Sequence, residues 1–215
     1  MKKKTIITLI ISIICSVALN TVSLYAKDST SSTQFVEFLN IAVQYDTFHA
    51  EDKFGNDISD FVKNMIVTKG SEEVYEYFKS YSGSFGYVKS EINHTTRAVD
   101  EIKNVTDSKY FIATDTKGKY RKEWKTRLVG TIYMDGNTGL IKRTSSPTLS
   151  LEWSNFGAMF SPYINSITTS SSHTQSYATF RANYHMYATL GVSVGDLPLG
   201  YTLDFNSHLH EFRAS

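Results

Sequence analysis

The stretch YRKEWKTRLVGTIYM, residues 120–134, carries the clearest strand pattern in the C-terminal part of the chain. Apolar side chains fill many of its even positions, and charged side chains fill the odd positions of its first half. The apolar set is Tyr120, Trp124, Leu128, Ile132 and Met134, and the charged set includes Arg121, Glu123, Lys125 and Arg127. A period of two places the two sets on opposite faces of a strand. The pattern predicts a strand with one buried and one wet face, as in antiparallel sheets.

Further strands are expected on both sides of this stretch. KYFIATDT (109–116) precedes it, and DGNTG (135–139) has the composition of a hairpin turn. Other strands are predicted at 145–153, 182–194 and 199–212. No helical pattern separates these segments, which indicates an antiparallel β-sandwich or half-barrel. The Ser/Thr-rich segment at 165–176 is expected to be an exposed loop or an edge.

The N-terminal part of the chain shows helical spacing instead. The expected apolar stripes are Phe35, Phe38, Leu39, Ala42 and Val43, then Ile58, Phe61, Val62, Met65 and Ile66, then Val74, Tyr77, Phe78 and Tyr81. SGSFG (82–86) ends this pattern, so we expect a helical region at 35–86 and a β-rich domain at 87–215. One more short helix is expected at 95–105. The predicted class is α+β, with short N-terminal helices before the antiparallel sheet structure.

The first 26 residues have the three parts of a secretory signal peptide. Three lysines follow Met1, an apolar run extends from Thr5 to Leu19, and small and polar residues lead to Ala26. The run is too short for a typical membrane span of about 20 residues. We expect cleavage after Ala26, with cleavage after Ala18 as the alternative, and a disordered leader at 27–34.

Export would leave a chain without cysteine and with a small negative charge. Cys15, the single cysteine, lies inside the apolar run, where Ile14 argues against lipidation. The mature chain would carry 19 basic and 21 acidic residues, a net charge of about −2. This balance argues against a nucleic-acid partner. The lysine-rich start and the absence of disulfides favour a bacterial protein that is secreted or associated with the cell wall.

Three histidines in the last two predicted strands are candidate metal ligands. If the apolar faces of these strands are aligned, with Leu209 in the core, then His185, His208 and His210 share one outer face. Three imidazoles can bind zinc or copper, and Asp204 could hydrogen-bond to one of them. The alternative is that all three are solvated strand positions, and under that interpretation the protein has no cofactor.

A second candidate surface is basic. The predicted strand at 120–134 contains or adjoins four basic residues, Lys119, Arg121, Lys125 and Arg127. They could contact an anionic wall polymer or membrane headgroups, or they could simply be an exposed strand face that discourages edge pairing.

The sequence contains no thiol nucleophile in the mature chain and no recognisable catalytic motif, so we expect no catalytic residues and favour a protein without enzymatic activity. The expected function is an exported binding or interaction module whose partner is a protein or a wall polymer. A membrane-active secreted factor, such as a toxin or bacteriocin, is the alternative. A hydrolase with a site built from distant residues is a third hypothesis.

Overall fold

The computed structural model describes residues 32–93, 100–194 and 197–215. The predicted signal peptide and residues 27–31 of the predicted leader lie outside these ranges. Residues 32–34 were expected to be disordered, and they belong to a helix. The reason is that Phe35, which follows them directly, is fully buried and anchors this end of the helix.

The described residues form three helices and nine strands. The helices are α1 (32–42), α2 (Ser59–Lys69) and α3 (Ser71–Phe78). The strands are β1 (His49–Asp52), β2 (Gly83–Asn93), β3 (Asp100–Thr114), β4 (Arg121–Asp135), β5 (Ile141–Thr144), β6 (Thr148–Asn155), β7 (Phe160–His173), β8 (Ala178–Val194) and β9 (Leu197–Ala214).

The strands form two antiparallel sheets. The first sheet has the order β1-β2-β3-β4-β5, with β6 also paired to β4, and the second sheet has the order β7-β8-β9. One apolar core contains residues of both sheets, and a second contains residues of the helices and the first sheet. The molecule therefore has three layers, with the first sheet in the middle. The predicted α+β class and the antiparallel pairing are confirmed.

Neighbouring residues of β3 supply these two cores. Phe111 faces the second sheet and stacks on Trp124 of β4, with ring centroids 5.5 Å apart. Tyr110 faces the helices and contacts Phe35 of α1 at 5.2 Å between centroids. A strand that is buried on both faces is expected for the middle layer of a three-layer molecule.

The face of β4 that was expected to be wet is partly covered by the helices. Glu123 is only 7% exposed, and it accepts hydrogen bonds from the hydroxyl groups of Tyr75 and Tyr110 at 3.3 and 2.6 Å. These two phenols replace water around the carboxylate, so a charged residue of the alternating pattern is buried without losing its hydrogen bonds.

Two other expectations about element boundaries differ from the structure. The break expected at SGSFG falls at the start of β2, and the division between 35–86 and 87–215 lies inside this strand and not at the end of an element. Gly86 serves close packing there, because a Cβ atom at this position would collide with the ring of His49. The helix expected at 95–105 is wrong for residues 100–105, which belong to β3. Residues 95–99 lie outside the described ranges.

Candidate functional site

An extra residue in β9 decides where the predicted metal ligands lie. β8 and β9 pair as expected, but the register shifts so that Met186 of β8 faces both Phe205 and Asn206 of β9. Asn206 has a φ of 70°, a left-handed conformation that asparagine adopts more readily than most residues. Such a β-bulge exchanges the two faces of the strand beyond it.

The bulge separates the three histidines. His185 stays on the outer face of the second sheet, whereas His208 and His210 point into the core beside the inward-facing residues of β8. Leu209, which was expected in the core, is 44% exposed. The prediction that the three imidazoles share one outer face is therefore wrong, because strict alternation cannot reveal an inserted residue.

His185 forms a small polar group on the outer face. Its Nε2 lies 2.6 Å from Oδ1 of Asp204, and its Nδ1 lies 3.2 Å from the hydroxyl of Ser207. Its ring stacks on Tyr187 with centroids 4.3 Å apart. Partial burial acts to raise the pKa of Asp204, but hydrogen bonds from the Asn206 backbone and from His185 lower it overall. Asp204 thus contacts an imidazole as expected, but it contacts only one of the three.

A second, buried polar cluster surrounds Asp107 between the two sheets. Asp107 and His210 have no solvent exposure, and Oδ2 of the carboxylate lies 2.9 Å from Nε2 of the imidazole. Nδ1 of His210 hydrogen-bonds to the hydroxyl of Thr126 at 2.8 Å. Nε2 of His49, from β1, lies 3.5 Å from the same oxygen of Asp107. The cluster therefore connects β1 and β3 of the first sheet to β9 of the second.

The two imidazoles of this cluster titrate differently. Burial would raise the pKa of Asp107, but the interactions with His210 and His49 lower it well below its usual value. Burial lowers the pKa of His210. Burial also acts to lower the pKa of His49, but the nearby Asp107 raises it overall. The cluster thus holds an ionised carboxylate, and an added proton binds to His49 in preference to His210.

Neither set of histidines has the arrangement of a zinc or copper site. In the described parts of the chain, no three His, Cys, Asp or Glu side chains are grouped so that they could hold a metal ion. In the buried cluster, the Nε2 atoms of His49 and His210 both approach Oδ2 of Asp107. The two ring nitrogens therefore point at a carboxylate oxygen, whereas in a metal site they would point at the metal ion.

A polar cleft of about 470 Å³ lies between the β1–β2 edge of the first sheet and β9. Glu51 lines it and accepts hydrogen bonds from Lys109 at 2.8 Å and from Ser84 at 3.3 Å. His208 also lines it, and its Nε2 hydrogen-bonds to the carbonyl of Phe205 at 2.8 Å. Burial lowers the pKa of His208 to about 4. These two lining groups are thus already engaged within the protein.

The four basic residues of the predicted surface strand do not act together. Lys119 is exposed and precedes β4, and Arg127 is exposed within it. Arg121 instead donates hydrogen bonds to two backbone carbonyls just after α3. Lys125 lies 3.4 Å from a carboxylate oxygen of Glu152. Arg121 therefore joins β4 to the segment after α3, and Lys125 pairs with a residue of β6 in the same sheet.

An apolar recess of about 280 Å³ opens between α3 and the turn from β1 to α2. We call it the aromatic recess, and its apolar lining is Phe54, Ile58, Phe61, Tyr77, Phe78 and Tyr81. Four of these rings are substantially exposed: Phe54 at 77%, Tyr81 at 54%, Phe61 at 44% and Tyr77 at 40%. Clustered exposed apolar side chains on a folded protein indicate an interaction site.

The rings of the aromatic recess support one another. Tyr77 stacks on Tyr81 with centroids 4.8 Å apart, and it contacts Phe61 at 5.4 Å. The floor is Phe78, which is buried and packs edge-on against Phe85 of β2 at 4.8 Å. The recess is therefore fixed to the first sheet through its floor.

The turn that carries Phe54 is also held firmly. Oδ1 of Asp52 accepts hydrogen bonds from the backbone N–H groups of Phe54 and Asn56 at 2.8 and 2.9 Å, and Oδ2 accepts one from the Asn56 side chain at 2.8 Å. Gly55 supplies the positive φ, 81°, that the turn requires. The turn thus presents an exposed aromatic ring from a preorganised backbone.

The helical stripes predicted the existence of α2 and α3 but not the recess. Phe61, Tyr77 and Tyr81 were expected to be buried with the rest of their stripes, but the buried members of these two stripes are Val62, Val74 and Phe78. The available signal was an excess of apolar residues, since each of these short helices has more apolar side chains than one face can bury.

No helix in the described ranges is long and apolar enough to cross a membrane. Comparisons of the chain with protein-family models, with curated proteins and with solved structures gave no match.

Proposed function

We propose that the chain is an exported bacterial protein, secreted or wall-associated, that acts as a non-enzymatic interaction module and holds a protein partner at the aromatic recess. The observation that carries this proposal is the group of four exposed rings around one recess, Phe54, Phe61, Tyr77 and Tyr81. Export is supported by the lysine-rich start and the apolar run of the sequence.

The chemistry of the recess favours a protein over a wall polymer. Its polar lining is confined to Asp52, Lys53 and Ser82 at the margin. A polysaccharide needs many hydrogen-bonding groups, whereas the centres of protein interfaces are rich in aromatic side chains and poor in charges. A partner that inserts an apolar side chain would displace water from these rings and meet the polar groups only at the rim.

A function without enzymatic activity is supported by the burial and the hydrogen bonds of the side chains that could act in acid–base catalysis. Asp107 and His210 have the residue types of an acid–base pair, but both are fully buried and out of reach of a substrate. In the polar cleft, Glu51 is engaged by Lys109 and Ser84. We interpret both groups as parts of the scaffold.

Selection of peptides from a random display library on the purified mature chain would test the proposal. We expect enriched peptides with an apolar or aromatic anchor, and we expect Phe61→Ser and Tyr81→Ser to weaken their binding at least about tenfold. Tyr163→Ser is the matched control, because Tyr163 is 39% exposed on the second sheet, away from the recess. Failure to enrich any peptide, or equal binding by all three variants, would contradict the proposal.

A membrane-active factor is the second candidate, and one observation favours it. Val67 of α2 is 86% exposed on the same helix as Phe61, and Lys63 and Lys69 flank it. An apolar surface bordered by lysines can bind a lipid interface. We expect no dye release from anionic liposomes at submicromolar protein, because the mature chain is slightly acidic. Release that is lost in Val67→Ser would favour the membrane.

A further inference from the structure

The aromatic recess lies directly beside a projecting aromatic ring. Phe54 is the most exposed apolar residue of its lining, and it stands on the turn between β1 and α2. The surface therefore contains an apolar knob and an apolar hole next to each other. A surface of this kind is complementary to a second copy of itself.

We propose that a second copy of this chain occupies the aromatic recess, in a twofold dimer in which each copy inserts Phe54 into the recess of the other. This inference rests on the proposed function, because it names an occupant of the same surface. The dimer is closed, since the knob and the hole belong to one patch and both are used up when two copies meet.

The fixed backbone of the turn lowers the entropic cost of inserting Phe54 into the recess of a second copy. The Asp52 carboxylate fixes the turn by accepting two hydrogen bonds from the backbone N–H groups of Phe54 and Asn56 and one from the Asn56 side chain. A side chain presented from a fixed backbone loses little conformational freedom on binding. The hole is equally fixed, because its floor, Phe78, is packed on the first sheet.

The exposed charged residues on the two sides of Phe54 have opposite signs, because Asp52 is half-buried and its carboxylate is engaged by the turn. Lys53 precedes it, with its ammonium group 4.9 Å from the centroid of the Phe54 ring. Asp57 and Asp60 follow it and are exposed near the start of α2. When two such turns meet in antiparallel orientation about a twofold axis, each lysine faces the acidic residues of the other copy. The rim of the dimer is then complementary in charge as well as in shape.

The size of the patch sets the strength of the association. A contact built on one inserted ring and a short rim on each side falls below the roughly 1,200 Å² of buried surface that stable complexes need. The dimer is therefore weak, with a dissociation constant on the order of 10–100 μM. At lower concentrations the recess is open to another partner.

Sedimentation velocity of the purified mature chain from about 5 to 500 μM tests this inference. We expect a shift from monomer to dimer, with no larger species. Phe54→Ser is expected to weaken association at least about tenfold, and Lys53→Gln to weaken it less and to reduce its salt dependence. Tyr163→Ser again serves as the control that leaves the dimer unchanged. Circular dichroism of each variant verifies that the fold is retained.

Three outcomes would overturn the dimer: a monomer at the highest concentration, a dimer that survives Phe54→Ser, or growth into larger oligomers. The failure of this inference is distinguishable from failure of the proposed function. Peptides that bind wild type and are lost in Tyr81→Ser would support an interaction site at the recess even if the chain stays monomeric.

Discussion

Asp107 and His210 join the two sheets through a hydrogen bond of 2.9 Å, and neither side chain has any solvent exposure. A charged acceptor in such surroundings interacts strongly with its partner, since little water is present to compete. Loss of one partner leaves the other buried and unsatisfied, which costs more than the pair contributes when it is intact.

We therefore expect His210→Phe to lower the free energy of unfolding by about 3 kcal/mol, because the new ring fills the site without satisfying Asp107. Asp204→Asn is the control at the other histidine–aspartate pair, whose carboxylate side chain is 39% exposed. Solvent screening limits that loss to about 0.5 kcal/mol. Urea unfolding measures both. An equal decrease in the free energy of unfolding in the two variants would contradict the view that the buried Asp107–His210 pair matters more than the exposed His185–Asp204 pair.

Acid is expected to destabilise the protein through His208. Its pKa in the folded state, about 4, lies below the ordinary value of 6.5, so the unfolded chain binds the proton more readily. The stability that it contributes is complete above pH 6.5 and is lost as the pH falls towards 4. The loss at pH 5 is on the order of 2 kcal/mol. Urea midpoints from about pH 5 to 7.5 should show a clearly shallower slope in His208→Phe.

His49 is expected to act in the opposite direction. Its pKa is raised in the folded protein by Asp107, so it contributes stability that is complete below pH 6.5 and is lost as the pH rises through the folded value. Above about pH 7 the free energy of unfolding should therefore decrease with rising pH in the wild type, and it should change less with pH in His49→Gln. A wild-type profile that keeps rising through this range would contradict the assignment.

Two glycines in strands should differ sharply in their tolerance of alanine. A Cβ atom at Gly86 would collide with the ring of His49, which can move away only by leaving Asp107. We expect Gly86→Ala to cost about 1–3 kcal/mol. Gly200 has nothing within 4 Å of its Cβ position, so Gly200→Ala should be neutral or slightly stabilising. If the collision with the His49 ring is the cause, Gly86→Ala will lower the free energy of unfolding by less in a His49→Ala background than in the wild type.

Export can be examined directly by mass spectrometry of the culture supernatant. We expect a chain that begins at Lys27, and a chain that begins at Leu19 if cleavage follows Ala18. Replacement of the three lysines at positions 2–4 by glutamate should reduce the secreted amount, because the positive n-region directs the segment to the export machinery. Full-length protein found only in the membrane would contradict export.

The sheets were predictable where the pairing is regular. β4 alternates apolar and charged residues over much of its length, and the structure buries Trp124, Leu128 and Ile132 as that pattern requires. The charged face was harder to interpret. Glu123 is buried because the phenols of Tyr75 and Tyr110 reach it, and contacts between residues so far apart in sequence leave no trace in the local period.

The candidate sites were less predictable because they depend on deviations from regular patterns. The inward position of His210 follows from one inserted residue, and the aromatic recess follows from rings at the flank of two helical stripes. A stripe gives the direction of a helical face but not its width, so Phe61 and Tyr77 could not be separated from their buried neighbours before the packing was known.

The bulge at Asn206 acts on β9 as a single-base insertion acts on a coding sequence. Residues before it follow one reading frame of inward and outward positions, and residues after it follow the other. Deletion of this one residue would exchange every inward and outward side chain from Ser207 to the end of the strand. His210 would be turned towards water and Leu209 towards the core. A small change in chain length at this position is thus a far larger perturbation than a change in residue type.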